Sequence, residues 1–173
     1  MAKTSRKQID TDQKKIMAEL ERDSNESLDA LAKRLKFSRQ KIWRFIKNLD
    51  KSHAIWGYTA IVDDERRGQK SYVLMLKRSN KPMDEETLDA LTSLKLQDGL
   101  ETSVESIFYV HGEYDWILTF TVTDIREAKR FCEAFKTIYP GFFDRMSLME
   151  TLVAVRKHHI ANPNASRLKE FLA

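Results

Sequence analysis

The stretch from Leu28 to Leu49, LDALAKRLKFSRQKIWRFIKNL, restricts this chain more than any other. Two short apolar-periodic segments meet across Lys36–Phe37–Ser38. Leu28, Leu31, Ala32 and Leu35 share one face of the first; Ile42, Phe45, Ile46 and Leu49 share one face of the second. The spacings of three and four are those of a helix. Ala32 is small where two helices must cross closely, and Ser38 can cap the second helix by accepting a backbone N–H bond. The face left over offers Arg39, Gln40, Lys41, Trp43, Arg44 and Lys47. These supply guanidinium forks, several further donors and one large flat ring, a set suited to the major groove of DNA. The expected DNA-binding set is Ser38, Arg39, Gln40, Lys41, Trp43, Arg44 and Lys47. A plain helical hairpin with a basic, solvated face is the competing reading. Such faces usually interleave acids for i,i+4 pairing, yet no Asp or Glu lies between Asp29 and Asp50. The DNA reading is the stronger.

Charge is divided in the same sense. Residues 1–56 hold 14 Lys and Arg against 8 Asp and Glu, a net of +6; residues 57–173 hold 16 against 18, a net of −2. A polyanionic partner is therefore expected for the first third of the chain. A single cysteine, Cys132, excludes an intramolecular disulfide and a cysteine metal cluster. No apolar run approaches a membrane span and the charged start MAKTSRKQ lacks a secretory core, so a cytoplasmic protein is expected.

In chain order, a first helix is expected from Asp10, whose spacing to Gln13 is that of a capping box with Ile9 as a staple. Its stripe is Ile16, Met17 and Leu20. Ser27 opens the second helix. Ile55 to Val62 reads as a strand. The expected division is a helix-turn-helix domain with this following strand over 1–63, a linker over 64–70, a second domain over 71–160 and a tail over 161–173. That second domain reads as strand (71–77), helix (84–96, with Leu88, Leu91 and Leu94 inward), strand (104–110), turn, strand (114–123), helix and strand (143–155). Gln97 to Ser103, with Gly99, reads as a loop. Asp124 and Glu127 mark the start of the later helix, which buries Ala128, Phe131, Cys132, Phe135 and Ile138 and stops at Pro140–Gly141. The order βαββαβ is that of a ferredoxin-like domain, giving an α+β chain. Two helices cover one face of such a sheet. The other face is poor in charge, which points to a homodimer, and two-fold dimers read palindromic DNA.

Several segments together resemble the Lrp/AsnC, or feast/famine, transcriptional regulators: IDTDQKKIMAEL, the LAKRLKFS turn, Ile55 to Asp63 (IWGYTAIVD) and HGEYDWIL from His111 to Leu118. The resemblance implies a winged or extended helix-turn-helix, then a ligand-responsive sheet domain that dimerises and assembles into rings of dimers. It implies an amino-acid site between dimers near His111, Gly112, Glu113, Tyr114 and Asp115, with Ser147 and Leu148 early in the last strand. Lys36 and His53 stand where the family usually has glycine, which raises the question of positive φ there. His111 and Glu113 replace the commoner Thr and Asp.

The residues of that turn carry a chemical argument of their own. Gly112 can adopt a backbone closed to other residues and leave amides free for a carboxylate; Asp115 can accept an ammonium and Glu113 adds a second charge. The competing reading is a hairpin turn in which Asp115 satisfies local N–H groups. No catalytic constellation emerges. Asp144 and Glu150 are isolated, Cys132 lies on an apolar helix face, and His158–His159 at a strand end point to opposite faces. No cofactor is expected. The expected function is a sequence-specific, amino-acid-responsive DNA-binding regulator; the alternative is an architectural DNA-wrapping protein of the same fold without an effector.

Overall fold

The computed structural model describes residues 6–93 and 103–173. It divides into two compact units, one made of the residues up to Ile61 together with Val155–Ala173, the other of Val62–Ala154.

The first unit holds α1 (Arg6–Arg22), α2 (Leu28–Leu35) and α3 (Arg39–Lys51). Ile16, Leu31, Ile42, Phe45 and Leu49 are buried together, with Met17, Leu20, Leu28, Ala32, Leu35 and Ile46 packed around them. Each of these large side chains stabilises the unit by roughly 1.5–3 kcal/mol if fully buried. Ser27 and Ser38 are both N-caps, accepting from the amides of Ala30 and Lys41. The chain leaves α2 through Lys36 in the left-handed region (φ 55°), and its amide bonds back to the Ala32 and Lys33 carbonyls. His53, after α3, is also left-handed (φ 56°). Both positions therefore do need the backbone that glycine supplies most easily.

Two expectations are corrected here. Helix α1 is already formed at Arg6, ahead of the expected start at Asp10, because Arg, Lys and Gln propagate a helix well and nothing in that turn stops it. Ile55 to Val62 is not a strand. A strand exists through its ladder, and among the described residues no neighbour offers one. Trp56 in this segment is 96 % exposed.

The second unit is built on an antiparallel sheet of β1 (Lys70–Arg78), β2 (Ser103–Tyr109), β3 (Trp116–Val122) and β4 (Phe143–Glu150), in the order β2–β3–β1–β4. This is the ferredoxin-like arrangement. Helices α4 (Glu85–Ser93) and α5 (Ile125–Ile138) complete it. Tyr72, Leu74 and Leu76 of β1 pair with Phe120, Leu118 and Trp116, and the core they share with Ala128, Phe131 and Phe135 of α5 is closed on that face. Asp124 caps α5 through the amides of Arg126 and Glu127. Cys132 is buried in this core, which pushes its thiol up to about 11.

The opposite face carries Val73, Met75, Ile117, Thr119, Ser106, Phe108, Ser147 and Met149, in register across all four strands. Where a linker was expected over 64–70, residues 64–69 hold a single 3-10 turn (Glu65–Arg67) against one end of this face and Lys70 already opens β1. There the Ser71 hydroxyl donates to Asp64 (2.5 Å) and Arg67 to Thr121 (3.4 Å). Leu88 is exposed, not inward, and Leu91 alone of the expected α4 stripe is shown buried; Leu94 and the loop from Gln97 with Gly99 lie outside the described residues. Strand β4 ends at Glu150, five residues earlier than expected, although the Thr151 amide still donates to the Ser71 carbonyl (2.9 Å). After it come β5 (Arg156–Lys157), β6 (Ile160–Ala161) and α6 (Leu168–Leu172).

Candidate functional site

The recognition helix α3 presents its side chains in two groups. Arg39, Gln40, Trp43, Arg44 and Lys47 are exposed; the Trp43 ring is 55 % accessible and does not enter the core of the unit. Arg39 reaches Asp29 at 3.2 Å, but both side chains lie largely in solvent and the pair is weak. Lys41 is directed elsewhere. Its ammonium sits 2.5 Å from the Asp12 carboxylate of α1 and 3.8 Å from the Phe37 ring centroid. Asp12 is 2 % exposed and also accepts from Gln8 (2.8 Å). The Lys41 bond holds the Asp12 carboxyl below the usual carboxylate range. Ser38 contributes its hydroxyl to the helix cap (3.2 Å). Five of the seven sequence-predicted DNA contacts thus project together; Lys41 is tied to Asp12, and the exposed Ser38 uses its hydroxyl in the helix cap.

The turn from His111 to Asp115 is arranged differently from its sequence reading. Asp115 receives the Arg78 backbone N–H (2.7 Å) and the Lys77 ammonium (3.2 Å). These hold its carboxyl below the ordinary range, the Arg78 amide most of all. Its own amide donates to Leu76 O (2.9 Å), and its carbonyl accepts from Val110 (2.8 Å). Asp115 therefore fastens the turn to β1. Glu113 pairs with Arg145 of β4, whose guanidinium lies 4.8 Å from the Tyr114 ring centroid. Gly112 does not take a positive φ, and a Cβ there meets nothing within 4 Å, so the special backbone expected of it is not used. His111 is exposed. Ser147 faces the open side of the sheet beside Met75, whereas Leu148 faces the core beside Leu74. The two side chains do not converge.

Lys77 and Arg145, paired across β1 and β4, carry no signal in the sequence that marks them for this site. With Glu113 and Asp115 they form a cluster of two cations and two carboxylates around Tyr114. Only the strand register brings them together, and register is not written in any local motif.

Among the described residues no group of His, Cys, Asp and Glu is placed to hold a metal, and no helix is long and apolar enough to cross a membrane. The family model described as winged helix-turn-helix DNA-binding matches residues 10–55. The DNA-binding transcriptional activator DecR of Escherichia coli K12 is 24 % identical over 79 % of this chain and 87 % of its own length. The AsnC family transcriptional regulator from Agrobacterium tumefaciens superposes with a TM-score of 0.63 at 20 % identity, covering 84 % of this chain and 92 % of that one. The feast or famine regulatory protein Rv3291c of M. tuberculosis, solved with L-methionine, gives 0.66 at 20 % identity over 88 % and 99 %. The α3 face and these matches make the chain a DNA-binding transcriptional regulator. Its two-part architecture is that of the Lrp/AsnC regulators.

Proposed function

We propose that the protein binds specific, two-fold symmetric DNA sites in the cytoplasm as a homodimer or a ring of dimers, and that an amino acid modulates this binding. It acts by binding, with no catalytic step. The observation that carries the proposal is the exposed face of α3, where Arg39, Gln40, Trp43, Arg44 and Lys47 stand clear of the core. Arg and Gln forks at the N-terminal half suit base edges, and Lys47 nearer the C-terminus suits a phosphate.

Dimerisation is supported by the uncharged centre of the open sheet face, where Met149 is 44 % exposed. Apolar surface of that kind is typically covered by a partner. Amino-acid sensing is supported by the four-charge cluster at the turn and by the methionine bound to the Rv3291c structure. Lys77 and Arg145 offer a carboxylate two cations, and Glu113 offers an ammonium an exposed acid. The test is calorimetry with each of the twenty amino acids, followed by DNA binding with any that bind. Binding that changes DNA affinity supports the sensor.

One observation favours the architectural alternative. Asp115 already satisfies the Arg78 amide and Lys77, as a purely structural turn residue does. No binding up to millimolar concentrations for any amino acid supports that alternative.

A further inference from the structure

The segment after β4 is not a passive tail. Residues 151–169 contain Arg156, Lys157, Arg167 and Lys169 and no acid at all. They form the β5–β6 hairpin, with Arg156 opposite Ala161 and Lys157 opposite Ile160. Its two-residue turn is His158–His159, with both residues left-handed (φ 44° and 67°). Two-residue hairpins of this kind ordinarily use Asn-Gly or Asp-Gly, because both central residues need positive φ. Here two bulky imidazole rings occupy those places, both exposed. The Arg156 guanidinium donates to the His159 carbonyl (2.7 Å) and braces the turn. A disfavoured backbone held by its surroundings is a reason to look for a role.

The hairpin's location sharpens the question. Val155–Ala173 belongs to the same compact unit as the helix-turn-helix, not to the sheet domain that precedes it. The chain up to Ile61 carries 14 Lys and Arg against 8 Asp and Glu, a net of +6; Val155–Ala173 adds 4 against 1, a net of +3. The winged helix-turn-helix match stops at residue 55, and residues 55–62, directly after α3, form no paired strand. Among the described residues of this unit, β5–β6 is the only strand ladder.

We propose that the β5–β6 hairpin is a second DNA-contacting element, a wing supplied from the far end of the chain, whose Arg156, Lys157 and His158–His159 turn lie against the phosphate backbone of duplex DNA. The proposal rests on DNA binding by α3 and extends the interface beyond it. Phosphate contacts are sequence-independent and salt-dependent, so the wing adds affinity on every sequence alike.

The experiment uses the full chain and fluorescence anisotropy on two duplexes, one selected for tight binding and one unrelated, across a salt series. Asp and Asn, like His, tolerate the left-handed region better than other side chains. The pair His158→Asp with His159→Asp therefore keeps the turn and places two negative charges in it, while His158→Asn with His159→Asn controls for loss of the rings. The Asp pair is expected to weaken binding at least tenfold on both duplexes, with the Asn pair close to wild type. Arg156→Gln with Lys157→Gln is expected to lower the salt slope by about two, one for each phosphate no longer neutralised. Thermal unfolding of every variant is read alongside, and the Gln pair serves if the Asp pair fails to fold. Asp-pair affinity equal to that of the Asn pair overturns the proposal, as does an unchanged salt slope in the Gln pair. Lys47→Ala is the comparator. If it weakens binding while the hairpin variants do not, the wing alone fails; if it too is without effect, the orientation assigned to α3 fails with it.

Discussion

The ammonium of Lys41 lies 2.5 Å from the carboxylate of Asp12, joining the recognition helix to the first helix through a side chain that is 2 % exposed. A lysine that reads as a DNA contact from its helix position is thus a structural strut. Lys41→Ala strands a buried carboxylate, at a cost of about 1–3 kcal/mol. It is expected to lower the urea midpoint while the salt slope of DNA binding stays at the wild-type value.

The same pair sets a pH dependence. The folded Asp12 carboxyl is depressed below its unfolded value of about 3.9. Its contribution is therefore complete above about pH 4 and is lost as pH falls through the lower folded value. Asp12→Asn is expected to destabilise the protein at neutral pH and to flatten the acid limb of stability against pH, measured by denaturant titration between about pH 2 and 7.

The exposed positions of α3 are expected to divide by role. Lys47→Ala weakens binding on all sequences and lowers the salt slope by about one. Arg39→Ala costs about 1–3 kcal/mol on the best site and relaxes preference at particular base pairs. Its pairing with Asp29 is exposed, so Asp29→Ala changes stability little. Parallel binding isotherms on matched and single-mismatch duplexes separate the arginine and lysine behaviours.

At the turn, Asp115→Asn tests sensing apart from folding. Asparagine still accepts the Arg78 amide that Asp115 now holds at 2.7 Å, but it loses the charge. The variant is expected to keep its fold by circular dichroism and its ligand-free DNA affinity, and to lose the response to an amino acid. A full response in Asp115→Asn shows that the Lys77–Asp115 pair takes no part in sensing.

The open sheet face is tested by Met149→Glu. A charge introduced opposite Val73, in the uncharged centre of that face, is expected to reduce the mass seen by light scattering to that of one chain. DNA binding then weakens because paired half-sites are no longer held together.

Much of the fold is legible in the sequence. Leu31, Ile42, Phe45 and Leu49 at helical spacing announce the core of the first unit, and Ser27, Ser38 and Asp124 all cap the helices they are expected to open. Alternation in β3 places Leu118, Phe120 and Val122 inside. These are short-range patterns, and each is enforced by the geometry of a single element. What the sequence hides depends on pairing between distant elements. Lys41 meets Asp12 across 29 residues, and Arg145 meets Glu113 across 32. The left-handed His158 and His159 escape a local reading for the same reason: an extended strand end and a hairpin turn differ only in whether a second strand returns.

On the proposed function, this chain recognises a defined DNA sequence through the exposed face of α3. Selection of bound duplexes from a random pool, repeated with Arg39→Ala, tests it most directly. The expected result is enrichment of one motif with two-fold related half-sites about one helical turn apart, blurred at particular base pairs in the variant. A pool bound uniformly, with salt-sensitive coverage and no enriched motif, contradicts it.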